Sequence, residues 1–191
     1  MQYKPTFDDC LAYLNHQIQT LPPGLQKACH TVVDDPFFQH GYGSAGKHHG
    51  YAGGLLVHTA EVLRYALHMA QLFRDADLTA ITTAAIFHDY MKINEYIPER
   101  PGTDVYSDGE KTKFAKSDYR YMVRHVAGSY AQYIRMTYGL NIRKETDLKI
   151  QHAMLAHHGR QEWGSPVIPQ CVEALILHQA DMLSCDYGAT R

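Results

Sequence analysis

The chain has 191 residues, of which 45% are hydrophobic, so it can bury one good core but is too short for two ordinary domains and a linker. Lys and Arg number 18 against 20 Asp and Glu, and the formal net charge of -2 lacks the basic footprint of a dedicated duplex-binding protein. No apolar run approaches the roughly 20 residues that span a bilayer and the N-terminus lacks a signal-peptide pattern, so we expect a single cytoplasmic domain over residues 1–191 without a membrane partner.

The first half of the chain is predicted to contain helices and one long loop. Apolar residues at helical spacing predict amphipathic helices over residues 7–21 and 25–33. Residues 36–54 are rich in glycine and aromatic residues, which is typical of a shaped loop that can line a site. Helical spacing returns over residues 55–73, and a further helix is expected over 79–88, with its first residue as the N-cap. We expect the last two helices to form the centre of the domain.

The second half combines a small hairpin with three more helices. An Asp-Gly turn between strand-like flanks at residues 105–110 is the local signature of a β-hairpin. Residues 119–138 and 146–158 are predicted to be helical, with Thr146 as an N-cap, and Pro169 suits the first turn of a last helix. The predicted fold class is therefore all-α, a single helical domain with a small peripheral β-hairpin.

The cysteines and the histidines lead to different predictions. The four cysteines are far apart and show no C-x-x-C spacing, which argues against a zinc ribbon and against a disulfide framework. The 13 histidines are the unusual number in the composition, because imidazole is the commonest side-chain metal ligand. The positions of the histidines therefore decide the functional prediction.

Six side chains lie within predicted helices or at their ends and could bind metal: His58, His88, Asp89, His125, His157 and Asp181. No single one is specific, because a lone histidine on a helix is more often a hydrogen-bonded core or surface residue. His58 and the His88-Asp89 pair each end an apolar run, so these polar groups emerge from buried faces. A metal ion makes a buried imidazole and carboxylate cluster favourable, and the alternative is a buried His/Asp hydrogen-bond network.

This ordered set resembles the ligands of the HD superfamily of metal-dependent phosphohydrolases. The resemblance extends from about Lys47 to Asp186. Residues 48–59, 157–159 and 164–166 are similar, more narrowly, to the HD domain of bacterial 3′-to-5′ exoribonucleases and to the HD-containing relaxases of conjugative elements. The resemblance implies a helical HD-type domain that hydrolyses phosphate esters.

The resemblance also implies a dinuclear metal site. By this analogy the first ion is held by His58, His88, Asp89 and Asp181. Asp89 would bridge to a second ion held by His125 and His157, and would thus be catalytic. Mixed nitrogen and oxygen ligation suits two divalent transition ions, with Mn or Fe favoured over Ni, Co or Zn. Two such ions can activate a hydroxide and polarise a phosphoryl oxygen.

Three residues near these ligands are candidates for supporting roles. Lys92 lies four residues after His88, so on a continuing helix it would place its ammonium against a substrate phosphate as a second catalytic group, and the alternative is a solvated lysine. Glu95 could orient Lys92 or a water on the metal, or be a plain surface carboxylate. His158 points about 100° away from His157 on a helix, so we treat it as substrate-binding, with metal ligation as the alternative.

Further substrate contacts are predicted around the ligands. His48 and His49 in the glycine-rich loop could donate to a phosphate or be merely solvated. Arg160 and Trp163 could recognise a base by hydrogen bonding and stacking, although a tryptophan is more often part of the core. The basic run over residues 111–124 is either a solvated helix face or a strand-binding rim.

These observations predict a metal-dependent phosphohydrolase. We expect a phosphodiesterase that acts on nucleotides or short single-stranded nucleic acid through a dinuclear metal-activated hydroxide. Two alternatives stay open, an HD-type di-iron oxygenase and a nucleotide-sensing module of a mobile-element machine. Strong binding to duplex DNA is not expected, because such binding draws its affinity from many phosphate contacts that a net charge of -2 does not favour.

Overall fold

A computed structural model describes residues 5–44, 48–98 and 114–189 of the chain. Its α-helices are α1 (Phe7–Ile18), α2 (Pro23–Val33), α3 (Pro36–Gln39), α4 (Gly54–Ala70), α5 (Leu78–Phe87), α6 (Asp118–Met122), α7 (His125–Thr137), α8 (Lys144–Ala156) and α9 (Val172–Ala189). Two short 3-10 turns follow α5 and α8, at Tyr90–Asn94 and Gln161–Trp163. Two strands, β1 (Tyr96–Pro98) and β2 (Phe114–Lys116), lie between α5 and α6. The described chain is predominantly helical, which confirms the all-α prediction.

Local signals set where the helices begin. Thr6 and Asp9 form a capping box at the start of α1, in which each side chain satisfies a backbone N–H of the other residue. Asp77 caps α5 by accepting a hydrogen bond from the backbone N–H of Ala80, so the predicted cap at Thr79 is wrong by two residues. Gly53 precedes α4 with φ 82°, a left-handed conformation that glycine adopts without strain.

The core lies between α4, α5, α8 and α9, which pack on one another, with α1, α2 and α7 around them. Helix α5 is buried along nearly its whole length, from Ala80 to Phe87, as expected for a central helix. Fully buried Leu56 and Leu63 on α4 and Leu177 on α9 belong to the same hydrophobic cluster. Burying one such side chain contributes about 1.5 to 3 kcal/mol, so this core stabilises α4 and α9, which carry His58 and Asp181.

The helix predicted over residues 119–138 is in fact two helices. Arg124 breaks it with φ 65°, and its backbone N–H bonds to the carbonyl of Tyr119. The predicted starts of the last two helices are also wrong. Helix α8 begins before Thr146, whose hydroxyl instead donates to Asp77 at 2.7 Å, and α9 begins only after Pro169. The hydroxyl of Thr146 is thus engaged in a tertiary contact, which local sequence signals do not report.

The strands β1 and β2 pair antiparallel, with Tyr96 opposite Lys116. The turn predicted at residues 105–110 lies outside the described residues, so the predicted β-hairpin stays a prediction. Within the described ranges, no helix is both long and apolar enough to cross a membrane.

Candidate metal centre

The six candidate ligands come together from five different parts of the chain. His58 lies in the second turn of α4, His88 and Asp89 directly follow α5, His125 begins α7, His157 follows α8, and Asp181 lies in the middle of α9. All six side chains are buried. The packing of α4, α5, α8 and α9 therefore brings these residues to one place, although up to 123 positions separate them in the sequence.

Asp89 occupies the centre of the cluster, and its two carboxylate oxygens face different groups. Oδ2 lies 3.3 Å from Nε2 of His58 and 3.4 Å from Nε2 of His88. Oδ1 lies 3.3 Å from Nε2 of His125 and 3.8 Å from Nε2 of His157. One carboxylate thus connects two groups of imidazoles, an arrangement that suits a bridging ligand.

Two of the four imidazoles have fixed orientations because their Nδ1 atoms meet backbone carbonyls. Nδ1 of His88 donates to the carbonyl of Ala85 at 2.7 Å, and Nδ1 of His157 donates to that of Met154 at 2.6 Å. A carbonyl only accepts, so these rings carry their proton on Nδ1 when neutral and present the Nε2 lone pair to the cluster. Such tethers are typical of metal-binding histidines.

His58 is fixed by a chain of side chains. Its Nδ1 lies 3.0 Å from Oγ of Ser184, and this hydroxyl donates to Oε2 of Glu61 at 2.9 Å. Because the serine proton goes to Glu61, the serine oxygen accepts from Nδ1 of His58, which again leaves Nε2 for the cluster. Sequence reasoning missed both partners. Helical spacing could have found them, since Glu61 lies three residues after His58 and Ser184 three residues after Asp181.

Glu95 fixes His125. Its Oε1 accepts from both the backbone N–H and Nδ1 of His125, at 2.6 Å and 2.8 Å, and its Oε2 accepts from Arg120 at 2.7 Å. Burial by itself raises the pKa of Glu95, but its bonds to His125 and the charge of Arg120 lower it below the usual value, so the carboxylate is ionised. Glu95 therefore orients His125, and the surface alternative is wrong because the residue is buried.

The charges around Asp89 keep its carboxylate ionised. Burial alone raises the pKa of Asp89, but the Lys92 ammonium and the neighbouring imidazole of His88 hold it well below its usual range. Burial lowers the pKa of His58, yet hydrogen bonds and charge from Asp181 and Asp89 raise it to about 9. A proton on Nε2 of His58 and a divalent ion therefore compete for the same carboxylate neighbours.

The cluster fits divalent metal ions. Within the part of the chain that the structure describes, the Nε2 atoms of His88 and His157 are buried and lack a hydrogen-bond partner of good geometry. A buried polar atom without a partner is costly, and a cation satisfies such nitrogens. Nitrogen and oxygen atoms from His58, His88, Asp89 and Asp181 all lie within 4.8 Å of one another, so a single ion can reach the four together. This donor set suits a transition metal.

Lys92 belongs to this cluster, although the backbone that carries it is not the helix expected from the sequence. Helix α5 ends at Phe87 and the chain continues as a 3-10 turn, so the expected continuing helix is wrong. The buried Lys92 ammonium lies 2.5 Å from Oδ2 of Asp89 and donates to the carbonyl of Gly43 at 2.8 Å. The solvated alternative is excluded, because only 8% of this residue is exposed.

A second group of ligand atoms contains His158. His125, His157 and His158 offer nitrogens that lie within 4.8 Å of one another, and Nε2 of His158 is 3.2 Å from Nε2 of His125. Burial and the charge of His125 lower the pKa of His158 to about 4, which keeps its ring neutral. His158 therefore lies next to His125 and His157, the proposed ligands of the second ion.

The histidines of the glycine-rich loop lie on the other side of His58. His49 is buried, and its Nε2 lies 3.2 Å from Oε2 of Glu61. His48 approaches His49 with 3.3 Å between their Nδ1 atoms. These two rings and His58 form a third group of nitrogens within 4.8 Å. The loop histidines thus lie beside His58, one of the candidate ligands.

The residues predicted to recognise a base lie at the surface near His158. The Trp163 side chain is 48% exposed, so it is not a core residue, and the Arg160 guanidinium stacks over it at 4.8 Å from the ring centroid. Of the basic run over residues 111–124, Lys111 and Lys113 lie outside the described residues, and Arg120 is bound to Glu95.

Comparison with known proteins agrees with this geometry. The family model of the HD domain matches residues 55–186. The chain is 31% identical over 137 residues to the 3′-5′ exoribonuclease YhaM of Bacillus licheniformis, and 31% identical over 136 residues to that of Bacillus subtilis. The YhaM protein of Listeria monocytogenes is 29% identical over 137 residues. Each match covers 71% of this chain but only 40% of the relative. No solved structure matches the chain.

Proposed function

The chain belongs to the HD-domain superfamily of metal-dependent phosphohydrolases, and we propose that it is a phosphodiesterase acting on nucleotides or short single-stranded nucleic acid. One observation carries the proposal: the two oxygens of Asp89 face two separate groups of imidazoles, each buried and suited to a cation. We propose that Asp89 would be a ligand of two divalent ions, one through each group. The first would also bind His58, His88 and Asp181, and the second His125 and His157.

Members of this family bind divalent metals, and we propose Mn or Fe as the native ions on the basis of the mixed nitrogen and oxygen donors. When bound, two such ions supply Lewis acidity to the phosphoryl oxygen and lower the pKa of water. The protein fixes the positions of the ligand rings. The bonds from Nδ1 of His88, His157 and His58 hold each ring with Nε2 toward Asp89, so the ligands need not reorganise.

We propose that Lys92 contributes positive charge to the site where a phosphate would bind. Its ammonium touches the carboxylate of Asp89 and is buried, so it adds positive charge next to the place where a phosphate would bind. Its bond to the carbonyl of Gly43 holds the ammonium in place. We propose that Lys92 stabilises the extra negative charge of the phosphoryl transition state.

The substrate class is inferred from the relatives and from the surface near the site. The matched relatives are named 3′-5′ exoribonucleases, and they are longer than the region matched here. The exposed Trp163 with Arg160 stacked on it offers a flat surface on which a nucleobase could stack. His49 and His158 are retained as proposed phosphate contacts, because both rings lie against the proposed metal sites. A net charge of -2 favours a small substrate over a duplex.

The test compares four substrates with Mn²⁺ present: dinucleotides, cyclic nucleotides, single-stranded oligomers and duplexes. We expect cleavage of dinucleotides or short single strands, and slow or no cleavage of duplexes. The Asp89→Ala variant is the control for a contaminating nuclease and should be inactive on all four. Preference for duplex, or consumption of phosphomonoesters with inertness toward every diester, would overturn the proposed substrate.

A further inference from the structure

Arg124 has a backbone conformation that arginine rarely adopts. Its φ of 65° and ψ of 155° fall in a region occupied almost entirely by glycine, because a Cβ is crowded there. The backbone on both sides holds it in place: its N–H bonds to the carbonyl of Tyr119, and the next N–H, of His125, bonds to Glu95. A strained residue therefore directly precedes a proposed ligand of the second metal ion.

The Arg124 side chain lies near the imidazole of His158. A Cβ placed on Gly164 would lie 3.0 Å from Nη1 of Arg124 and 3.5 Å from Nδ1 of His158, so the guanidinium and this imidazole flank the same glycine. Gly164 itself has φ 105° and leaves the room that both groups use. His158 in turn lies 3.2 Å from His125. The guanidinium thus lies on the Nδ1 side of the His158 ring, whose Nε2 faces His125, a proposed ligand of the second ion.

Arg124 differs from Arg120 and Arg160, the other arginines near the site. Arg120 is committed to Glu95 and Tyr96, and Arg160 stacks on Trp163. In the described part of the chain, the exposed guanidinium of Arg124 forms no ion pair and no hydrogen bond, and Nδ1 of His158 has no hydrogen-bond partner. A guanidinium presents N–H donors in a fork that matches two oxygens of a phosphate. The N–H donors of Arg124 therefore suit an anion such as a phosphate.

We propose that Arg124 binds the phosphate next to the scissile one, and so selects substrates that carry two consecutive phosphodiesters. This inference rests on the proposed function. The scissile phosphate would occupy the two metal sites, and the neighbouring phosphate of the same strand would meet the guanidinium beside His158. Arg124 is a specificity residue in this view, because it contacts the substrate away from the bond that breaks.

The experiment compares cleavage of the dinucleotide UpU with cleavage of the trinucleotide UpUpU, in the full chain with Mn²⁺. The ratio of kcat/KM for the trinucleotide to that for the dinucleotide should fall about 10- to 100-fold in Arg124→Gly, the loss expected for a charge-assisted contact. Arg124→Lys should lose part of the ratio, because an ammonium keeps the charge but not the fork. Arg135→Gln removes an exposed arginine from the far end of α7 and should keep the wild-type ratio.

The glycine variant also separates function from folding. Glycine suits φ 65°, so Arg124→Gly should raise Tm while the ratio falls. A lower Tm together with an unchanged ratio would mean that Arg124 is only structural. An unchanged ratio at any Tm overturns the inference. If the wild-type chain cleaves neither compound, the proposed function is wrong, and calorimetric titration of the same two uncleaved compounds then decides whether Arg124 recognises the second phosphate.

Discussion

The substitution Glu95→Gln tests whether the second metal site depends on a residue that is not itself a ligand. Glu95 is 1% exposed, and its carboxylate is bonded to His125 through two hydrogen bonds and to Arg120 through a third. Glutamine keeps the shape of the side chain but removes the negative charge. The amide oxygen can still accept from the backbone of His125, so the start of α7 should persist.

The size of the effect follows from these contacts. The ionised Glu95 draws the Nδ1 proton of His125 and makes Nε2 a better donor to a cation, and a neutral amide does this less well. Loss of such an outer partner typically lowers metal affinity about 10- to 100-fold, which corresponds to about 1.4 to 2.7 kcal/mol. Because Glu95 touches none of His58, His88 and Asp181, the first ion should bind as before.

The measurement is a titration of metal-free protein with Mn²⁺, followed by the bound equivalents and by activity at each concentration. We expect the second equivalent alone to weaken, and the activity curve to shift to higher Mn²⁺ by the same factor. Glu162→Gln removes an exposed carboxylate from the turn after α8 and should leave both equivalents unchanged. Equal weakening of both ions by Glu95→Gln, or of neither in a folded variant, would refute the reasoning.

Two further predictions concern the centre itself. His88→Ala and Asp89→Ala should each abolish metal binding and activity. His125→Ala or His157→Ala should remove one metal equivalent and leave the fold intact. Metal analysis of the purified variants checks these predictions, and full activity of metal-free protein would contradict the mechanism. Lys92→Met should bind divalent ions at least as tightly, because a buried cation beside Asp89 is removed, while kcat falls about 10- to 100-fold; an unchanged kcat would show that the ammonium is not needed in the transition state.

Much of the fold could be predicted from the sequence. Apolar spacing correctly identified α1, α2, α4, α5 and the later helices as helical, because the period of 3.6 residues is a local property of each segment. The helix boundaries were less accurate. Asp77 rather than Thr79 caps α5, and Arg124 divides a predicted helix in two. Both deciding contacts are local, from the N–H of Ala80 to Asp77 and from the Arg124 N–H to Tyr119, but apolar spacing alone does not identify them.

The sequence did not predict the residues that orient His58 and His125. Glu95 was expected to serve Lys92, a water or the surface, but it binds His125, which lies thirty positions away. Ser184 and Glu61 fix His58 from two different helices. The packing of α4 on α9 brings Ser184 to His58, and the packing of α7 on the turn after α5 brings Glu95 to His125. Spacing within one segment therefore does not identify Glu95 as the partner of His125.

The sequence by itself determined the kind of chemistry, because buried histidines and aspartates at the ends of apolar helices need a partner such as a metal ion, and their order along the chain resembles one family. Only the tertiary structure decided the geometry. It places the two oxygens of Asp89 toward different imidazole groups and brings Arg124 beside His158. The reason is physical: residue types are local, whereas distances of a few ångströms between five segments arise only when the helices pack into one core.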